Sequence, residues 1–264
     1  ISNVVVENQA GASGVIGLQA LAKNPPDGYT LSVVSNNVVI FPSVIKNLPF
    51  DMPGDFTPIA VVGSTPMVLV ANPQKVSATN SREFIAALKA KPDGYNFGSG
   101  GTGTILHLAG EMFIEEAGVK ARHIPYKGVG PMVTDLLGGQ IDFVFATAAG
   151  VGKFIDSGKM YGIAVTSATR SPSWPKIPTV AESGVPGFET DVWYALFTTG
   201  GTPPEIVKQL NTAARAAVNT EEFRSRIEGE GLTVAIGSPQ DLTRQIKTDE
   251  ERWGKVVSQA KVTI

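Results

Sequence analysis

Apolar positions along this chain fall into two alternating rhythms. Short runs rich in β-branched and aromatic residues read as strands: Val4 to Val6, Tyr29 to Ser35, Ala121 to Tyr126, Asp142 to Ala146, Tyr161 to Ser167 and Trp193 to Thr198. Phe56 to Val70 carries two more such runs, split by Gly63-Ser64-Thr65-Pro66, and Tyr95-Asn96-Phe97 is a short one. Between them lie stretches with helical spacing. Val15 to Lys23 is the first, ending before the turn cluster Pro25-Pro26-Asp27-Gly28. Asn80 caps the next, with Glu83 at the third helical position and Phe84, Ile85 and Leu88 on its apolar face. Ile105, Leu108, Ala109, Met112 and Phe113 form one stripe, and Gly130 to Leu137 and Gly150 to Ser157 are further helices. Thr202-Pro203-Pro204-Glu205 predicts a helix start with Thr202 as cap, and Ser238-Pro239-Gln240-Asp241 opens the last helix in the same way. Ser171 to Phe188 is irregular and rich in Pro and Gly. This alternation predicts an α/β fold whose mostly parallel sheets are covered by helices.

Composition narrows the function. At 264 residues the chain exceeds the usual single-domain size, and its 42% hydrophobic content can fill two cores, so two lobes are expected. A net charge of -2 gives no footprint for nucleic acid. No apolar stretch approaches the roughly 18 residues of a membrane span. Cysteine is absent, which removes disulfides, thiolate nucleophiles and Cys-based metal sites, and two histidines cannot make a His-rich one. No cofactor is expected. The chain opens on Ile1 without a visible signal peptide, so any such segment is expected to have been removed or to lie outside this sequence.

In open α/β sheets ligands bind beyond the carboxyl ends of strands, where helix N-termini point. Two Gly-rich strand-to-helix turns fit: Asn8-Gln9-Ala10-Gly11-Ala12-Ser13-Gly14, and Gly98-Ser99-Gly100-Gly101-Thr102-Gly103-Thr104. Missing side chains let an anion approach backbone N–H groups, and Ser99, Thr102 and Thr104 add hydroxyls. Neither turn carries Lys or Arg, which suits reversible capture of a carboxylate by neutral donors; each can equally be a plain tight turn. The second turn lacks the Lys-Ser/Thr ending of a nucleoside-triphosphate loop, and the first has no dinucleotide fingerprint. Catalytic patterns are thin. Ser99 lacks the first Gly of a nucleophile elbow, His107 points along its helix instead of toward Ser99, and His123 reads as structural. His107 and Glu111, four apart, read as a helix-surface pair. Lys127 either reaches a ligand or is solvated, and Trp193 and Tyr194 either wall a cleft or belong to the core.

FGSGGTGTILHLAGEMF, HIPYKGVGPMVTDLLGGQIDFVF, IAVTSATRSP, IPTVAESGVPGFE and GTPPEIVKQLN occur in that order, after VVVENQAGASGVIG and PDGYTL. Together they resemble the substrate-binding receptors of tripartite tricarboxylate transporters, the Bug family, over essentially the whole chain. The resemblance implies a two-domain periplasmic-binding-protein fold (a Venus flytrap, type II) in a Gram-negative periplasm. It implies a monomer without catalysis that captures a di- or tricarboxylate, an acidic amino acid or an aromatic acid and delivers it to membrane permease subunits. Lobe 1 would comprise residues 1–66 and 194–264, and lobe 2 residues 67–193. Matching positions carry over as ligand contacts: Gly11, Ala12 and Ser13 with Gly14 beside them; Ser35 and Asn36; Ser99, Gly100, Gly101, Thr102, Gly103 and Thr104; and Thr147, where the family is often acidic. Tyr194 joins them as an expected contact on its own reading as a cleft wall. The family begins with a strand, a Pro-Gly-Gly loop and a helix ahead of VVVEN. That first strand-helix unit is missing from this sequence, so lobe 1 is expected to be incomplete at its N-terminus. Two alternatives stay open: a sensor subunit for a signalling partner, and a hydrolase or transferase using Ser99.

Overall fold

The computed structural model describes residues 3–52, 54–228 and 231–264. Two long antiparallel strands form its spine: β2 (Phe56–Ala71), which follows α1 (Val15–Ala22), β1 (Leu31–Ser35) and α2 (Asn37–Val44), and β7 (Asp191–Thr199). Between them run α3 (Ser81–Ala90), β3 (Asn96–Ser99), α4 (Ile105–Ala117), β4 (Arg122–Pro125), α5 (Val129–Leu137), β5 (Phe143–Thr147), α6 (Ala148–Asp156) and β6 (Tyr161–Val165). After β7 come α7 (Pro204–Val218), α8 (Glu221–Glu228), β8 (Thr233–Val234) and α9 (Pro239–Ala260).

β2 changes partners halfway. Phe56 to Pro66 pair with β7, whose other edge pairs with β1, while Met67 to Ala71 pair with β5 and β6. The strand passes through Gly63-Ser64-Thr65-Pro66 without ending, because β7 and β8 supply ladder partners on both sides there. The expected mostly parallel sheets are therefore corrected to mixed ones. Among the described residues the parallel strand pairs are β3 with β4 and β3 with β5; the other strand pairs are antiparallel. The physical reason is the crossover: the chain leaves the first half of the sheet on β2 and returns on β7, so these two must run in opposite directions.

Val4 to Val6 are corrected from a buried strand to extended chain, 75%, 83% and 80% exposed. A groove of about 700 Å³ is lined by Val5 and Glu7 of this segment and by residues 29–35, and the segment pairs with no strand among the described residues.

Met67 and Leu69 point into one core and Val68 and Val70 into another, which explains an unbroken apolar run in a strand. The first core stacks Phe84, Phe97, Phe113, Phe143, Phe145 and Phe188, and continues through α9 to α1 and α2. The second lies under α5 and α6. Ser238 and Asp241 form a full capping box on α9, whose Leu242, Ile246, Trp253 and Val257 are buried. At α7 the expected cap is displaced by one residue: the helix starts at Pro204, and the Thr202 hydroxyl instead donates to the Thr199 carbonyl.

Candidate functional site

Five helices begin around one cavity of about 870 Å³ that opens between the two halves of the sheet. Gly14, Asn37, Thr104, Gly128 and Thr147 line it, each at the first turn or the cap of α1, α2, α4, α5 and α6. Three of these starts follow β3, β4 and β5, so the turns sit beyond the carboxyl ends of neighbouring strands. Only Thr104 supplies a side-chain cap; the caps of the other four helices accept no hydrogen bond from their first turns. Uncapped first turns leave backbone N–H groups available, and each helix end carries partial positive charge. Lys127 is the only charged residue lining the cavity among the described residues. Tyr126 also lines it. Its phenol is pushed up to about 12, first by burial and then by the Asp135 carboxylate that its hydroxyl meets at 2.8 Å, so it stays neutral.

The two predicted turns face each other across this cavity. A Cβ on Gly101 would lie 2.7 Å from Ser13 Oγ, and one on Gly103 would lie 2.8 Å from the Val44 side chain, so the halves approach closely here. Asn37 Oδ1 accepts the Ile105 N–H at 2.8 Å, tying α2 to the start of α4.

Of the residues singled out in the sequence, Gly11, Ala12, Ser13, Ser35, Gly100, Thr104, Thr147 and Tyr194 line the cavity. Asn36, Ser99, Gly101, Thr102 and Gly103 do not. Asn36 is 1% exposed and donates to the Asp191 carbonyl, while its neighbour Asn37 faces the cavity. Tyr126, Gly128 and Val129 went unassigned, and Lys127 was left undecided. They form a third strand-to-helix turn, and the rule that selected the other two selects this one as well.

Ser99 has a histidine partner after all. His123 Nε2 lies 2.7 Å from Ser99 Oγ, whereas His107 is engaged with Gly103 N and Glu111. Nothing about this pair suits a nucleophile. Ser99 is fully buried and its Oγ is also 3.0 Å from the Gly101 carbonyl. Burial, and then the neighbouring His107, lower His123 to about 3, leaving it a weak base. Among the described residues no group of His, Cys, Asp and Glu is arranged to hold a metal, and no helix is long and apolar enough to cross a membrane.

Comparison with known proteins agrees with this architecture. The pattern of the family described as tripartite tricarboxylate transporter family receptor matches residues 2–262. An R. palustris protein solved with adipate superposes with a TM-score of 0.91 at 31% identity, covering 98% of this chain and 87% of that one. The periplasmic binding protein BugD superposes at 0.89 and 33% identity, again over 98% and 87%. MatC from Rhodopseudomonas palustris, solved with bound malate, superposes at 0.85 and 28% identity over 95% and 86%.

Proposed function

Because the chain belongs to the tripartite tricarboxylate transporter receptor family, with the fold of its periplasmic binding proteins, we propose that it captures a small carboxylate in the cavity between its halves. It would deliver that ligand to the membrane subunits of a tripartite transporter, working in the periplasm of a Gram-negative cell as a monomer. One observation carries the ligand class: five helix N-termini, four without a side-chain cap, meet at a cavity whose only charged lining residue, among the described residues, is Lys127. Backbone dipoles and one ammonium attract an anion, and no carboxylate lines the wall to repel it. The adipate and malate held by two structural relatives are of this chemical class.

The change of partner in β2 supports a division into two lobes. Residues 1–66 with 194–264 form one lobe and 67–193 the other, with the hinge where Pro66 pairs with Asp191. Opening about that pair would separate Ser13 from Gly101 and admit the ligand. The contacts expected to hold it are Gly11, Ala12, Ser13, Ser35, Gly100, Thr104, Thr147 and Tyr194, joined by Asn37, Lys127 and Gly128, with Asn36, Ser99, Gly101, Thr102 and Gly103 shaping the turns behind them.

Isothermal titration against mono-, di- and tricarboxylates tests this, alongside mass spectrometry of ligand retained by the purified protein. Saturable binding of an organic acid, lost on adding charge at the cavity wall, is the expected result. A retained nucleotide or metal, or no binding by any carboxylate, would overturn it.

A further inference from the structure

Behind the Ser99–Thr104 turn lies a polar relay that the anion site does not itself use. β3 and β4 pair in register with Phe97 opposite His123, and α4 lays His107 over that position. The His107 and His123 rings stack with centroids 3.6 Å apart and planes 17° from parallel, with Phe97 beside both. Each ring holds one end of the turn. His123 Nε2 meets Ser99 Oγ, which in turn accepts the Gly101 N–H at 3.2 Å. His107 Nδ1 accepts the Gly103 N–H at 3.1 Å. An accepting Nδ1 carries no proton, so the proton of neutral His107 sits on Nε2, where Glu111 Oε1 receives it at 3.2 Å. Gly101 and Gly103 both have positive φ, 142° and 75°, so the turn is not an arrangement the backbone adopts by default. It needs holding.

We propose that His107 and His123 are positioning residues for ligand binding: the stacked imidazoles pin Gly101 and Gly103 in the conformation that shapes the anion site, and Glu111 sets the tautomer that lets His107 do so. This rests on the carboxylate-receptor function above. His107 is buried and does not itself line the cavity, so its imidazole acts only through the turn. Without the pin, the turn samples other shapes, and apparent affinity falls by the fraction of molecules still competent. Glu111 stands at the far end of the relay, on the partly exposed side of α4, its side chain 21% exposed.

Two pairs of variants separate positioning from packing. His107→Phe keeps a ring over His123 but removes the acceptor. His107→Asn loses the ring but offers a carbonyl oxygen near the place of Nδ1. The expected result is a loss of adipate affinity of about tenfold or more for His107→Phe, and recovery to within about threefold of the native protein for His107→Asn. Glu111→Leu is expected to weaken binding several-fold and Glu111→Gln to leave it near native, since Gln keeps an acceptor. Ring-nitrogen shifts in ¹⁵N NMR read the relay directly. The native protein should show His107 as the Nε2–H tautomer with a slowly exchanging Gly103 amide, and Glu111→Leu should show mixed tautomers and faster exchange. Equal affinity for the Phe and Asn variants, or better binding by Phe, would overturn the proposal and leave the rings as packing alone. If His107→Phe does not fold, the Glu111 pair and the NMR signature decide. If the native protein binds no carboxylate, the receptor function fails, while the tautomer and the Gly103 amide still test the relay; if it binds a carboxylate other than adipate, that acid is the probe for the variants.

Discussion

Gly101→Ala probes a close approach between the two proposed lobes. Gly101 sits at φ 142°, a conformation that costs a non-glycine residue about 1–3 kcal/mol. Its added Cβ would also stand 2.7 Å from Ser13 Oγ on the opposite turn. These two penalties differ in when they act. In the open state proposed above, Ser13 would be distant and the turn would be free to relax from the strained φ, so that binding would restore both penalties. Adipate affinity is therefore predicted to fall roughly 5- to 150-fold from backbone strain alone, at about 1.4 kcal/mol per tenfold. The collision involves the end of a side chain, so it adds a smaller amount. Adding Ser13→Ala to Gly101→Ala removes that hydroxyl and is predicted to recover about 0.5 kcal/mol or more, a coupling that a double-mutant cycle isolates. Isothermal titration of the four proteins measures all the terms. A Gly101→Ala protein that binds within about twofold of native would refute the strain argument. Strict additivity of the two changes would show that the turns do not meet in the bound state.

Further predictions follow from the same cavity and its surroundings. Lys127→Met should weaken binding modestly and flatten its dependence on ionic strength, because Lys127 is the one charged lining residue and is itself exposed; an unchanged salt slope would remove it from the site. His123 titrates near 6.5 in an unfolded chain but near 3 when folded, held down by burial first and by His107 second. Between those values the unfolded chain binds a proton that the folded one refuses, so stability should decline as pH falls from about 6.5 toward 3 and be unaffected above it. Melting temperature against pH checks this, and His123→Gln should flatten the curve over that window.

Much of the fold was legible because local chemistry and tertiary packing agree. Asn80 accepts from Glu83 N as a cap should, and the stripe of Ile105, Leu108, Ala109, Met112 and Phe113 is buried throughout. The departures occur where pairing partners, which no local pattern encodes, decide the outcome. Strand direction is set by the β2–β7 crossover, Val4 to Val6 lack a neighbouring strand, and the Gly63–Pro66 stretch is carried through by ladder partners on both sides. The site shows the same division. Gly-rich turns reveal where helices begin, but not which residue of a turn lines the cavity: Gly100 and Thr104 do and Ser99 does not, and beside Asn36, which the resemblance supplied, it is Asn37 that lines it. The link between Ser99 and His123 joins adjacent strands 24 positions apart and leaves no spacing to find.

The first hydrophobic core has a thermodynamic consequence. It runs unbroken from α1 and α2, through α9, to the phenylalanine stack around β3 and β5, so the two halves share one apolar interior. A protein whose lobes were joined by the strand pair alone would melt in two stages, with ligand protecting only the walls it touches. Here a shared interior makes the melting of either half expose the other. Calorimetry should then record one cooperative transition, and a ligand should displace that whole transition upward as a single peak, by an amount set by its concentration relative to Kd.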